Sequence, residues 1–232
     1  MRDVIDQIIS LRGEDSRILS VFVELIGLQM DREGASSDRI NAILDDPNTY
    51  TNQLARYNPE EVTSIKNLLT AIFQNDQSIQ MLVEKLEDYD SRFLAITFLG
   101  WFGEKARSVI PEFIGVIGSG HPANAAAKRA IQLIGGGEEL VLSAIKQSIM
   151  QEDDASFLEL IDLALHTQLR ESKEFDDVFS LGAKSKNPQM RWAAAFWISQ
   201  LPEASKQSMK KIIDLLRNDP DDAVREEAGG NK

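Results

Sequence analysis

The chain has no cysteine. That excludes disulfides, thiolate nucleophiles and cysteine-ligated metal centres, and it suits a reducing cytoplasm, the compartment expected here. Histidine, the commonest acid–base side chain, occurs only twice. His121 lies in the turn sequence Gly-Ser-Gly-His-Pro and His166 in an apolar helical stretch, where an ordinary, partly buried histidine is expected. Neither has a second histidine or a carboxylate at metal-ligand spacing, so no metal, no cofactor and no catalytic residue is expected. There is no Gly-x-Ser-x-Gly and no Walker sequence. The run Gly135-Gly136-Gly137 follows a helix, and Glu138 and Glu139 come directly after it, where they would repel a phosphate. It reads as a hinge between helices.

Positive charge is also scarce. The chain holds 25 Lys and Arg against 37 Asp and Glu, a net charge of −12, and residues 1–90 carry 8 of the basic and 17 of the acidic side chains. This balance counts against a nucleic-acid partner, which draws on clustered Lys and Arg. Adjacent carboxylates such as Asp221 and Asp222 fall at helix starts, where capping and the helix dipole account for them. The longest apolar run, residues 18–30, has 13 residues and contains Glu24. It is too short to cross a bilayer and is expected as a buried helix, so no membrane partner is expected. Met1-Arg-Asp-Val-Ile-Asp places acids where the apolar core of a signal peptide would begin. No alternating apolar run is long enough for a strand.

What is present is a helical repeat. In residues 88–117, Leu94, Ala95, Phe98, Leu99, Trp101 and Phe102 fall at three- and four-residue spacings. Gly100 and Gly103 mark a sharp turn. A second helix follows from about Lys105, with Val109, Ile110, Phe113, Ile114 and Ile117 as its stripe and Gly118 and Gly120 as its end. Residues 127–135 repeat 92–100 at a distance of 35, Arg191 lies 99 after Arg92, and Arg225 lies 34 after Arg191. Residues 154–166 form a degenerate copy whose register the spacing leaves open. A period near 33 built of helix-turn-helix units points to a stacked array. Ala95, Ala130, Ala194 and Ala195 stand where first helices of neighbouring units must approach closely.

The unit resembles the HEAT repeat, especially the short bacterial variety also found in phycobilisome lyases. Asp90-Ser-Arg92, Asn187-Pro-Gln-Met-Arg191 and the run from Asp219 to Ala228 carry the likeness, which covers about residue 86 to the end. The tetratricopeptide and ankyrin patterns are missing. The resemblance implies an all-α fold, an α-α superhelix of antiparallel helix pairs. Residues 1–86 are then a divergent helical part of the solenoid and residues 87–232 its repeats, in one contiguous domain. In 1–86, helices are predicted over 2–11, 18–30, 40–44, 62–73 and 79–86. The fourth is opened by Asn58-Pro59-Glu60-Glu61: a cap, a proline at the first position and acids in the first turn. Further helices are predicted over 138–150, 157–169, 175–183, 191–200 and 203–217.

The resemblance also implies that second helices line a concave face on which partners dock. Within 203–217, Met209, Ile212, Ile213 and Leu216 form an inward stripe, and Lys206, Lys210 and Arg217 an outward line interrupted by Asp214. The plain reading is a solvated face with a Lys210–Asp214 pair. The functional reading is a docking site for an acidic segment, which Lys105, Arg107 and Lys146 extend. Core packing is favoured for Trp101, Trp192, Phe196 and Trp197, and an exposed one would mark an interface; Trp101, at a turn, joins the partner-binding candidates. The expected function is a non-enzymatic protein–protein interaction module or adaptor. Two alternatives stand beside it. One is a HEAT-fold enzyme or chromophore-handling protein of the DNA-glycosylase or bilin-lyase kind. The other is an immunity or regulatory protein that neutralises a basic partner with the acidic N-terminal third.

Overall fold

The computed structural model describes residues 1–11, 13–119, 122–167, 169 and 172–229, with residue 173 by its backbone alone. His121 and Gly120 lie outside the described residues. Among those described there is no strand, and no helix is long and apolar enough to cross a membrane. The chain is all-α. Grouped by contacts, it forms two units: Met1–Phe113 with Ala125–Gly136, and Ile114–Asn124 with the chain from Gly137 on.

The first unit holds α1 (Arg2–Ile9), α2 (Gly13–Glu33), α3 (Ser37–Asp45), a 3-10 turn (Pro47–Thr49), α4 (Thr51–Leu54), α5 (Pro59–Phe73), α6 (Gln77–Glu84) and α7 (Tyr89–Trp101). A 3-10 run (Gly103–Val109) leads into α8 (Ile110–Val116), and α9 (Asn124–Ile134) follows. Helix α5 is the hub of this unit. Asn58 accepts the Glu60 amide at 2.9 Å, Pro59 sits in the first turn, and Ile65, Leu69, Ile72 and Phe73 recur at helical spacing as its buried side. That side packs against α1, α2 and α3.

Phe73 carries the core onward to α7. Its ring lies 5.6 Å from Phe98, 6.0 Å from Trp101 and 5.0 Å from Phe102, and all four residues are buried. Such pairs add about 0.5–1.5 kcal/mol each beyond the area they bury. This cluster ties α7 to α5 across residue 86, within one unit.

Gly100 and Gly103 serve different ends. Gly103 has φ +60°, and a Cβ there would lie 2.3 Å from the Ala35 carbonyl oxygen, so only glycine fits the turn. Gly100 is no turn residue. It is helical, and a Cβ on it would lie 2.9 Å from Ala130, so it lets α7 and α9 touch backbone to backbone.

The second unit contains α10 (Glu138–Met150), α11 (Asp154–Leu165), α12 (Lys173–Gly182), α13 (Pro188–Gln200), α14 (Glu203–Ser208), α15 (Lys210–Arg217) and α16 (Asp222–Glu227). Helix α10 packs against α11 and α12, α11 against α13, α12 against α13, and α13 against α15 and α16. Helices thus touch along two rows, α10 to α12 and α11 to α13 to α16. The spacing predicts one helix over 203–217. The chain instead breaks at Met209, which is 2% exposed and has a non-helical ψ of 10°.

One local device recurs. Arg92 reaches back to the carbonyls of Leu86 and Glu87, Arg191 to those of Ser185 and Lys186, and Arg225 to that of Asp219. Each arginine lies four residues after the helix cap: Asp88, Asn187 and Asp221. Each satisfies carbonyls left open just before its helix. Arg39, three residues after the Ser36 cap, does the same to Glu33 and Gly34, so the device extends into the N-terminal third. The open register of the degenerate copy also closes. Asp153 caps α11, which puts Phe157, fully buried, at the arginine position. Asn187 then joins α13 to the start of α11, donating to the Glu152 carbonyl and to Asp154 Oδ1, both at 3.2 Å.

Candidate binding surface

The second unit sorts its exposed side chains by row. Its exposed large apolar residues among the described ones are Leu140 (42% exposed) and Met150 (78%) on α10, Leu181 (47%) on α12 and Leu215 (44%) on α15. None lies on α11, α13 or α16. The same helices carry exposed lysines close by: Lys146 one turn before Met150, Lys184 just past α12 and three residues after Leu181, and Lys211 one turn before Leu215. Each helix thus presents a lysine beside an uncovered Leu or Met near its C-terminal end.

Beside this row lies a groove of about 390 Å³. Its floor is Ala195 and Ile198 of α13 with Ile213 and Leu216 of α15, and its far wall is the end of α16 at Glu227, Ala228 and Gly229. The rim holds Glu203, Lys206, Lys210, Asp214 and Arg217. Lys206 pairs with Glu203 at 3.0 Å, Glu227 accepts the Ser199 hydroxyl at 3.3 Å, and Arg217 Nε donates to the Ala228 carbonyl at 3.1 Å. Among the described residues, Lys210 and Asp214 form no ion pair; the intrahelical pair is Lys206–Glu203 instead.

The candidate residues fall into two groups. Lys206, Lys210 and Arg217 meet at the groove, and Lys146 is exposed on α10 in the same unit. Trp101, Lys105 and Arg107 belong to the first unit. Trp101 is 3% exposed and lies in the aromatic cluster around Phe73, as core packing requires, so it offers nothing to a partner. Lys105 and Arg107 are half exposed, but they sit on the 3-10 run, because α8 begins only at Ile110. Lys105 pairs with Asp76 at 2.8 Å, and Arg107 with Glu104 at 3.3 Å while its guanidinium lies against Gly136. Trp192 and Phe196 stack at 5.4 Å with 16° between their planes, half-buried on the outward side of α13. His166 is exposed at the end of α11, contrary to the expectation of partial burial, with Nδ1 2.8 Å from the Asp162 carbonyl oxygen. No group of three or more His, Asp or Glu among the described residues is placed to hold a metal ion.

Leu140, Met150, Leu181 and Leu215 escape a reading of the sequence, since the same residue types at helical spacing elsewhere are core. The pairing of Arg191 with Asp219 escapes it too. Burial pushes the Asp219 carboxyl up, but the Arg191 hydrogen bonds, the Asp221 amide and the charges of Arg191 and Arg225 together hold it below its ordinary value. Arg191 is correspondingly raised, chiefly by its bond to Asp219.

No protein-family model, curated protein or solved structure matches the chain.

Proposed function

We propose that the chain is a non-enzymatic, cytoplasmic protein-binding module. In this reading the second unit is a short HEAT-like solenoid, and its second helices form the face that docks a partner. The row-to-row packing of α11, α13 and α16 beside α10 and α12 supports the solenoid, as does the recurring arginine after each cap. The observation that carries the function is that the exposed large apolar residues of the second unit, Leu140, Met150, Leu181 and Leu215, fall on α10, α12 and α15 alone, the last three of them within four residues of an exposed lysine. A row of this kind suits a partner segment that offers apolar side chains between carboxylates. Apolar contact supplies most of the affinity, and the lysines set orientation and approach.

The test is affinity capture with mass-spectrometric identification, followed by titration of the identified partner. Met150→Gln/Leu181→Gln/Leu215→Gln is expected to weaken that partner by 10-fold or more and leave the far-ultraviolet circular dichroism unchanged. Undiminished affinity in the triple variant contradicts the reading.

A further inference from the structure

We propose that Met150 is a reversible oxidation site, and that its sulfoxide takes the second-helix face out of use as a docking surface. This rests on the reading of that face as the one that binds a partner, and it adds a means of turning the face off.

The chain holds six methionines. Met30, Met190 and Met209 are at most 2% exposed, Met1 and Met81 are half-buried, and Met150, at the end of α10, is 78% exposed. An oxidant must reach the sulfur, so this contrast makes Met150 the first to react. With no cysteine in the chain, no thiol competes with it. The oxidant is a peroxide. A sulfur lone pair attacks one peroxide oxygen, the O–O bond breaks, and the other oxygen leaves as water. The sulfur loses two electrons and the peroxide gains them. The reverse step is that of a methionine sulfoxide reductase: a dithiol gives two electrons and becomes a disulfide, and the sulfoxide oxygen leaves as water.

Position decides what the added oxygen does. On Met190, fully buried, it would stand unsolvated in the core and oppose folding. On Met150 it stays in water, so the folded chain tolerates it. The penalty arises on docking. Met150 is the most exposed large apolar side chain described in the second unit, on the row that also carries Leu181 and Leu215. A partner that covers this row with apolar side chains buries the thioether favourably. The same partner would have to strip water from a sulfoxide oxygen and leave it without a donor.

The full chain is treated with hydrogen peroxide and its peptides are mapped by mass spectrometry. Met150 is expected to oxidise at least 10-fold faster than Met30, Met190 and Met209 in the folded chain, and at the same rate as they do in urea. The Met150 sulfoxide is expected to keep the parent's urea midpoint and to elute earlier from an octyl column. Methionine sulfoxide reductases with dithiothreitol are expected to restore the elution, and Met150→Leu to abolish the early shift. Equal oxidation rates in the folded chain, a lowered urea midpoint or unchanged elution overturns the proposal. Met150→Gln, which matches the polarity of the sulfoxide, is expected to weaken the captured partner at least 5-fold, and Met150→Leu to leave it bound. Full affinity in Met150→Gln, with loss in Leu181→Gln/Leu215→Gln, overturns the proposal and keeps the second-helix face as the docking surface. Full affinity in both variants overturns the face as well.

Discussion

Arg191 grips Asp219 with two parallel hydrogen bonds, Nε to Oδ2 at 2.7 Å and Nη2 to Oδ1 at 3.0 Å, and the carboxylate is only 5% exposed. The same guanidinium donates through Nη1 to the carbonyls of Ser185 and Lys186, both at 3.0 Å. The start of α13 and the chain leading into α16 are thereby joined through one charged group. Removing the acid alone strands a nearly buried cation. Asp219→Ala is expected to cost about 3 kcal/mol in urea unfolding. Arg191→Met/Asp219→Leu is expected to cost much less, because no charge is left unpaired.

Acid acts on the same pair. The Asp219 carboxyl titrates below its ordinary value, so it binds a proton more readily in the unfolded chain than in the folded one. Its contribution is complete above the unfolded value, about 3.9, and is lost as pH falls through the lower folded value. The Asp88 carboxyl is lowered in the same direction, first by the Ser91 hydroxyl and then by the Ser91 amide. Urea midpoints measured from pH 6 downward are therefore expected to hold level and then drop below about pH 4. Asp219→Asn is expected to begin lower and to flatten part of that drop.

Three glycines separate turn from packing. Gly103→Ala is expected to destabilise by at least 1–3 kcal/mol, since positive φ and the Ala35 carbonyl both oppose a side chain. Gly100→Ala is expected to cost about 1–3 kcal/mol through overpacking against Ala130. Gly115, in the last turn of α8, has nothing within 4 Å of an added Cβ. Gly115→Ala is expected to be neutral or to gain about 0.5–1 kcal/mol. Thermal unfolding of the three variants checks the order.

Much of the helix map is legible locally. Asn58-Pro59-Glu60 and Asp88-to-Ser91 are caps whose hydrogen bonds form as their residue types imply. What lies outside local sequence is decided by distant contacts. Gly100 looks like a turn glycine until Ala130 is placed against it. The register of α11 is hidden because a buried Phe157 stands where the other copies have arginine. Arg39 is 53 residues before Arg92, a distance that fits no multiple of the period, so its kinship shows only in the carbonyls it reaches. The break at Met209 has no Gly or Pro to announce it. The groove lysines stand out as a charged line, but the apolar half of the surface looks like core until Leu181 and Leu215 are seen uncovered.

The arginine device gives a separate check on the N-terminal third. Arg39→Ala leaves the Glu33 and Gly34 carbonyls without their donor and is expected to cost about 1 kcal/mol. Arg39→Lys, with a shorter side chain and a compact, strongly hydrated ammonium in place of Nη1, is expected to recover only part of it. Equal stability of Arg39→Ala and the parent chain in urea contradicts a structural role for this residue.

Hydrogen–deuterium exchange of the chain with and without its captured partner tests the second-helix face most directly. The expected result is slowed exchange centred on peptides covering α10, α12 and α14–α15, with α11 unchanged. Protection centred on α11, α13 and α16, around Trp192 and Phe196, is the result that would contradict it.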